Sequence, residues 1–269
     1  MCGIAGFAGP WRPGLAAAMT EAVAHRGPDG HGLWSEDGVA LGHRRLSIID
    51  LSDAAAQPMN SPDDRYVLTY NGEIYNYRAL RAELEQAGVA FRTGSDTEVL
   101  LHLFAREGLD CVNRLNGIFA FAVWDRQTRT LSLARDHLGV KPLYYAALPQ
   151  GFLFASELKA LPLCPDLPRD IDAAAVADHL GYLWTAGEHT MLRAVRKLRP
   201  GCSLTVSADG AVQTARFYRT PLHDDDIALT PDDASGLAAT IDRIVADQMV
   251  ADVEVGALLS GGVDSSAIV

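Results

Sequence analysis

Ile118–Trp124 (IFAFAVW) is the stretch from which the fold can be argued, because every side chain in it is apolar. A strand with one face in water alternates between apolar and polar residues, whereas a strand covered on both faces does not. We therefore expect a central strand with material packed on each side. That expectation implies stacked layers rather than a single exposed sheet.

Short apolar segments flank this strand and are separated by turns. They lie at Leu131–Arg135, Leu143–Ala146 and Phe152–Ser156 downstream, and at residues 3–8, 33–34, 39–41, 44–50 and 66–70 upstream. Turns that recur about every 10 residues without intervening helices predict antiparallel pairing. The Asn71-Gly72 pair is predicted to form a hairpin turn, since Asn-Gly is a strong short-range signal for one.

Helical patterns are set apart from these strands. They cover residues 14–23, 80–87, 95–108 and 172–183, with Ser95-Asp96 and Asp172 at helix starts and Gly88 and Gly108 at helix ends. Strands with segregated helices predict an α+β fold for the first part of the chain. Short strands are also expected at 198–206 and 217–218, around a turn at 208–210.

The composition narrows the class of protein. The chain has 269 residues, a net charge of −11 and four cysteines, Cys2, Cys111, Cys164 and Cys202, that are far apart. The negative charge argues against nucleic acid as a partner. No apolar run is long enough for a membrane helix, and no secretory signal or zinc-type cysteine pair is visible. We expect a cytoplasmic protein without a membrane partner.

The regular succession of predicted strands ends after residue 160. A segment with three prolines spans residues 161–172, and His223–Asp226 is interpreted as a solvated linker rather than a metal site. Thr230-Pro231 is expected to start a helix that runs to about residue 250. A strand at Val253–Leu259 would then enter the loop Ser260–Ser266 (SGGVDSS). Helix, strand, glycine-rich loop and helix start are typical of the opening of a doubly wound α/β domain, and the loop offers backbone amides to an anion.

Cys2 is the first residue that suggests chemistry. If Met1 is removed, Cys2 carries a free α-amine with a pKa of about 7.7–8.0 beside a thiol with a pKa of about 8.5. A single residue would then supply both nucleophile and base. A cysteine after the start codon is by itself an ordinary finding, so the interpretation depends on the groups that surround it.

Three other groups would complete a site. Asn71-Gly72 would form an oxyanion hole, Arg45 would hold a carboxylate, and Asp96 would bind an ammonium. Each also has a purely structural interpretation, as a hairpin turn, a surface ion pair and a helix cap. Together they describe a site for a free amino acid with an amide side chain, which is glutamine.

Seven motifs in order along the chain carry a family resemblance. They are Met1–Ile4, His25–Asp29, Arg45–Ile48, Tyr70–Asn76, Thr93–Glu98, Arg135–Tyr145 and Ser260–Ser266. With them the chain resembles glutamine-hydrolysing asparagine synthetases. The resemblance implies a class II glutamine amidotransferase domain over residues 2–220, with the αββα sandwich of an N-terminal-nucleophile (Ntn) hydrolase. It also implies the start of an α/β pyrophosphatase-type ATP-binding synthetase domain over residues 228–269.

The resemblance also implies roles for individual residues. Cys2 is the implied nucleophile, Asn71 and Gly72 the oxyanion hole, Arg45 the holder of the glutamine carboxylate and Asp96 of its amino group. The implied glutamine site further includes Arg26, Leu46, Ile48 and Glu73, and the implied ATP site consists of Leu259, Ser260, Gly261, Gly262, Asp264 and Ser265. Lys141–Tyr145 is interpreted as a structural strand.

The implied activity is hydrolysis of glutamine, which needs no cofactor, and use of the ammonia to amidate aspartate with ATP and Mg²⁺. Three alternatives stay open: amidation of another carboxylate, glutaminase activity alone, and a non-catalytic binding module. Because one strand cannot form an adenosine pocket, we expect no asparagine from this chain alone. It would be part of a longer product or be completed by a second chain, and a homodimer is also open.

Overall fold

The central strand lies in a sandwich of two six-stranded antiparallel sheets, seen in a computed structural model that describes residues 1–221 and 231–269, with side chains from 236 onward in the second range. The strands are β1 (Gly3–Ala8), β2 (Gly30–Glu36), β3 (Val39–Arg45), β4 (Met59–Asn60), β5 (Tyr66–Ile74), β6 (Gly117–Asp125), β7 (Thr130–Arg135), β8 (Tyr144–Leu148), β9 (Gly151–Ala155), β10 (Arg196–Lys197), β11 (Cys202–Val206) and β12 (Val212–Arg216). The first sheet has the order β10-β8-β9-β1-β3-β2 and the second β12-β11-β7-β6-β5-β4.

The α-helices of the described residues are α1 (Pro13–Glu21), α2 (Tyr77–Gln86), α3 (Asp96–Glu107) and α4 (Ala173–Tyr182), followed by α5 (Pro231–Gln248) and α6 (Val263–Ile268). Of these, α1 packs on the outer face of the first sheet, and α2 and α3 pack on the outer face of the second. One apolar cluster joins the second sheet to α2 and α3, another joins the first sheet to α1, and a third fills the space between the sheets. The predicted α+β class is confirmed, with the layer order αββα.

Strand β6 confirms the expectation drawn from Ile118–Trp124. Phe119, Phe121 and Val123 pack on the helix side of the sheet, whereas Ala120 and Trp124 pack between the two sheets. Burial of both faces removes large apolar side chains from water. This stabilises the folded state by roughly 25 cal/mol for each Å² of apolar surface that is buried. The absence of alternation in the sequence reflects this two-sided burial.

The prediction of a hairpin turn at Asn71-Gly72 is wrong. Strand β5 continues through both residues, with Asn71 opposite Ala120 and Gly72 opposite Phe119 on β6. A Cβ atom on Gly72 would lie 2.4 Å from the carbonyl oxygen of Ile118. Glycine is therefore required here for the close approach of two strands and not for a turn.

Three other strand expectations also need correction. β3 ends at Arg45, so residues 46–50 form a loop, in which Asp50 has a φ of 53°. Residues 217–218 form no strand, since β12 ends at Arg216. Val253–Leu259 is irregular and exposed, because no strand in the described part of the chain lies beside it to pair with it. His223–Asp226 and Thr230 lie outside the described residues.

The predicted helix caps are confirmed where the structure describes them. The Ser95 side chain accepts a hydrogen bond from the Glu98 amide at the start of α3. Asp172 accepts from the amides of Ala174 and Ala175 at the start of α4. Each such cap stabilises its helix by about 1 kcal/mol. Among the helices of the described ranges, none is both long and apolar enough to span a membrane.

Candidate active site

A cavity of about 400 Å³ opens where the start of β1 approaches the end of β5. Its lining includes every residue of the predicted glutamine site except Arg26, namely Cys2, Arg45, Leu46, Ile48, Asn71, Gly72, Glu73 and Asp96. Further lining comes from Gln57, Tyr70, Lys141 and the segment 248–256. The fold thus brings together residues that are far apart in sequence.

Cys2 is partly buried, directly before β1. The amide of Leu46 donates a hydrogen bond to the Cys2 sulfur at 3.3 Å, and the thiol donates to the Leu46 carbonyl at 3.6 Å. Burial raises the pKa of the Cys2 thiol above its ordinary value. The thiol therefore needs a base to become a nucleophile at neutral pH.

A suitable amine lies at the chain terminus. Burial lowers the pKa of the Met1 α-amine; Lys141 and Arg26 act in the same direction, whereas Cys2 and Asp29 act against it. An amine with a lowered pKa is unprotonated at lower pH and can accept a proton. Removal of Met1 would make the α-amine of Cys2 the terminal amine, close to the same two cations, Lys141 and Arg26.

Arg26 lies behind Cys2 rather than in the cavity lining. Its Nε donates to the Cys2 carbonyl at 2.9 Å, and its Nη1 donates to Glu157 at 2.9 Å. This pair of hydrogen bonds ties the backbone of the nucleophile to the ion pair with Glu157. Arg26 was placed in the implied glutamine site, but it contacts the backbone of Cys2 from outside the cavity lining.

Asn71 carries the most informative side chain of the cavity. It is fully buried, yet within the described residues neither its Oδ1 nor its Nδ2 has a hydrogen-bond partner. A buried polar group without a partner costs about 1–3 kcal/mol. Because this amide lines the cavity with the Cys2 sulfur, a ligand bound there would be its partner.

Two carboxylates lie on one side of the cavity. Asp96 Oδ2 accepts hydrogen bonds from the Tyr70 hydroxyl at 2.8 Å and from the Ile74 amide at 3.0 Å. Burial raises the pKa of Asp96. The N-cap of α3 is Ser95, so the interpretation of Asp96 as the helix cap is not found.

Glu73 is the second carboxylate. Burial, followed by the negative charge of Asp96, raises the pKa of Glu73 to about 7. Two carboxyl groups that repel each other in a partly buried site favour a cation between them. This side of the cavity is therefore suited to an ammonium.

Arg45 provides positive charge at the end of β3. Its guanidinium donates to the carbonyl oxygen of Ser52 at 2.8 Å and to that of Asp50. No carboxylate of the described residues forms an ion pair with it, so the surface ion pair considered for Arg45 is not found. A guanidinium held by two carbonyls remains free to attract a carboxylate.

Several residues of the cavity carry no signal in the sequence that predicts their position there. Lys141 was interpreted as part of a structural strand, but β8 begins at Tyr144 and Lys141 lines the cavity. Gln57 supports β5, with its Oε1 accepting from the Tyr70 amide at 2.6 Å. Segment 248–256 was expected to be helix and strand. Only long-range contacts place these residues, and no local pattern marks them.

The predicted ATP residues lie elsewhere. Gly262 immediately precedes α6, Gly261 has a φ of 80°, and the hydroxyls of Ser260 and Ser265 lie 2.9 Å apart. These residues and Leu259 are exposed or partly exposed and do not line the glutamine cavity. In the described ranges, no group of three or more His, Cys, Asp or Glu residues is arranged to hold a metal ion.

Comparisons with known proteins agree with the geometry. Residues 1–218 match the family model of the glutamine amidotransferase domain, and residues 236–269 match that of asparagine synthase. Asparagine synthetase [glutamine-hydrolyzing] 3 of Bacillus subtilis is 40% identical, over 93% of this chain and 41% of the relative. Asparagine synthetase B [glutamine-hydrolyzing] of Escherichia coli is 36% identical, over 94% of this chain and 40% of the relative. The chain thus spans about two fifths of the length of these relatives.

A solved structure shares the fold. The glutamine phosphoribosylpyrophosphate (PRPP) amidotransferase from B. subtilis, complexed with ADP and GMP, matches with a TM-score of 0.62 at 24% identity. The match covers 81% of this chain and 50% of that one. At this identity the likeness concerns the fold alone, which is the αββα sandwich expected from the sequence.

Proposed function

Because the chain belongs to the glutamine amidotransferase domain family, of the asparagine synthetase type, we propose that its cavity hydrolyses glutamine to glutamate and ammonia. The observation that carries the proposal is the buried amide of Asn71, which lies in the same cavity as the Cys2 sulfur and has no hydrogen-bond partner in the part of the chain that the structure describes. A reaction that develops negative charge on a carbonyl oxygen supplies the partner that this amide lacks.

The substrate is held by charge. The α-carboxylate of glutamine binds to the Arg45 guanidinium, and its ammonium binds between Asp96 and Glu73. This orientation directs the side-chain amide toward Cys2 and Asn71. The pattern of charges excludes an amide that lacks either charged group as a good substrate.

The chemistry proceeds by covalent acyl transfer. Once Met1 is removed, the α-amine of Cys2 takes the proton from the thiol, and the sulfur attacks the side-chain carbonyl carbon of glutamine. The resulting oxyanion accepts hydrogen bonds from the Asn71 amide and the Gly72 N–H. The carbon–nitrogen bond then breaks, and ammonia leaves with the proton from the α-amine. Water attacks the thioester, releases glutamate and restores the thiol.

For the whole protein we propose ATP-dependent amidation of aspartate to asparagine in the cytoplasm, with an amidotransferase domain at residues 2–220 and a synthetase domain that begins near residue 228. The loop residues Ser260, Gly261, Gly262, Asp264 and Ser265 would contact the ATP phosphates, with Leu259 beside the adenosine. Hydroxyls and backbone amides before a helix are the donors that phosphate oxygens accept from. Mg²⁺ would bind with the nucleotide and neutralise phosphate charge.

Glutaminase assays test the proposal. The purified chain should release glutamate and ammonia from glutamine, and its N-terminal mass should show that Met1 is absent. Cys2→Ala should abolish the activity, whereas Cys164→Ala, which alters a buried cysteine outside the cavity, should retain it. Sustained glutamate release by Cys2→Ala would contradict the assignment.

A further inference from the structure

Lys141 is a largely buried lysine that lines the cavity. The residue is only 7% exposed, and its ammonium makes no hydrogen bond or ion pair with any residue in 1–221 or 236–269. Buried lysines are almost always paired, because an unpaired buried charge is costly. Lys197 shows the usual arrangement, since it is 4% exposed and its ammonium donates to the Thr185 hydroxyl at 3.0 Å.

The backbone of Lys141 is held rigidly by its neighbours. Asp136 accepts hydrogen bonds from the amides of Val140 and Lys141, each at 2.9 Å. The Nε of Arg135 donates to the Lys141 carbonyl at 2.7 Å, and Nη1 donates to the Leu198 carbonyl at 2.6 Å. Both sides of the peptide at Lys141 are therefore fixed, so that its side chain begins from a defined point at the cavity wall.

The charged and titratable groups around the ammonium identify its counterpart. Burial lowers the pKa of Lys141, the charges of Cys2, Glu73 and Asp136 raise it, and Arg26 lowers it. Cys2, Glu73 and Lys141 line the same cavity, and the ammonium forms a direct contact with neither of the other two in the described residues. In the proposed binding mode the Glu73 carboxylate contacts the substrate ammonium. The anion that forms beside Lys141 during the reaction is then the sulfur of Cys2.

We propose that Lys141 is a catalytic residue of the amidotransferase site, whose ammonium stabilises the thiolate of Cys2. This inference rests on the proposed function. The thiol proton passes to the α-amine of Cys2, the electron pair stays on sulfur, and Lys141 neither gains nor loses a proton. Burial and, to a smaller extent, the same positive charge lower the pKa of the terminal α-amine, which in this structure belongs to Met1. When the thioester is hydrolysed, the thiolate is the leaving group, and Lys141 stabilises it a second time.

Alkylation of Cys2 by iodoacetamide measures the thiolate directly. The rate would be followed from pH 6 to 10 by the mass of the N-terminal peptide, in the wild type and in Lys141→Met. Loss of the nearby cation should raise the midpoint of the profile by about one pH unit, which is a tenfold smaller thiolate fraction at neutral pH. The kcat for glutamine should fall at least about tenfold for the same reason. Lys141→Arg keeps the positive charge, so its alkylation midpoint and its kcat should stay close to those of the wild type.

Lys197→Met is the matched control, because it removes an equally buried lysine that lies outside the cavity. Its alkylation profile should equal that of the wild type. An unchanged midpoint in a folded Lys141→Met protein would overturn the proposal, as would a rise in KM alone. If Lys141→Met does not fold, Lys141→Gln is measured with the same criteria. A wild type without glutaminase activity would count against the proposed function, whereas the alkylation profile would still decide the role of Lys141.

Discussion

The backbone amide of Asp50 donates a hydrogen bond to the carboxylate of Asp252 at 2.7 Å, and the Asp252 amide donates to the Ile48 carbonyl at 2.9 Å. These contacts join the loop after β3 to the segment after α5. The carbonyl of Asp50 also accepts from the Arg45 guanidinium. The residue proposed to bind the substrate carboxylate is therefore held by a loop that is itself held by Asp252.

Asp252→Ala should weaken glutamine binding. Loss of an exposed hydrogen bond to a carboxylate removes about 1 kcal/mol, so KM should rise about fivefold. The kcat should change little, because the Cys2 and Asn71 end of the cavity is not altered. Steady-state kinetics test this, with Asp247→Ala on the exposed side of α5 as the control. A lower kcat at unchanged KM would contradict the role given to Asp252.

Tyr70→Phe should act through Asp96. The variant removes the hydroxyl that donates to Asp96 Oδ2 at 2.8 Å, and the phenyl ring still fills the buried position. A less firmly oriented carboxylate binds the substrate ammonium more weakly, so KM for glutamine should rise about tenfold, or roughly 1.4 kcal/mol. The kcat should be nearly unaffected.

A substrate analogue separates this effect from general damage to the fold. Glutaramate is glutamine without its α-amino group, so it cannot use Asp96. Its hydrolysis by Tyr70→Phe should equal that by the wild type, and the preference for glutamine over glutaramate should shrink. Equal losses for both compounds would show that Tyr70 merely supports the cavity.

Glutamine affinity should depend on pH through Glu73, whose pKa is about 7. Above that pH the carboxylate is charged and attracts the substrate ammonium, whereas below it the group is protonated and neutral. Calorimetric titration of the Cys2→Ala protein between pH 6 and 8 should therefore show weaker binding as the pH falls. Glu73→Gln should bind more weakly and remove this dependence. A persistent dependence in Glu73→Gln would assign the titration to another group.

Asn71→Ala should separate activity from stability. Removal of an oxyanion donor typically lowers kcat about 10²–10³-fold. The melting temperature should not fall in proportion, because the amide of Asn71 has no partner in the described residues to lose.

Asn76→Ala provides the opposite case. The Asn76 side chain donates to the Arg114 carbonyl and accepts from the Asn116 amide, each at 2.9 Å. Its removal should lower the melting temperature and leave kcat unchanged. If Asn71→Ala were the less stable of the two proteins, Asn71 would be a structural residue.

The features that could be predicted from sequence are those that depend on residues close together in the chain. The two-sided apolar run of β6 and the caps of α3 and α4 depend on neighbouring residues, and the structure confirms each. The cavity residues Cys2, Arg45, Asn71 and Asp96 were grouped by their chemistry, and the fold brings them together. Their functional roles stay predictions that the kinetic experiments test.

Long-range contacts explain what could not be predicted. Asn71-Gly72 has a local preference for a turn, but continuous pairing of β5 with β6 outweighs it. Nothing near Lys141 in sequence shows that it lines the same cavity as Cys2. The strand pattern at Val253–Leu259 has no strand beside it in the described residues. In each case the deciding partner lies elsewhere in the chain.

The lining of the cavity has a practical consequence for protein engineering. Gln248, Ala251 and residues 253–256 contribute to the cavity, yet they belong to the stretch that matches asparagine synthase rather than the amidotransferase model. A chimera joined between residues 219 and 235 would take the cavity residues up to Lys141 from one parent and those from Gln248 to Gly256 from the other. A junction after Gly256 keeps the complete pocket, together with the Asp50–Asp252 contact, within a single parental sequence.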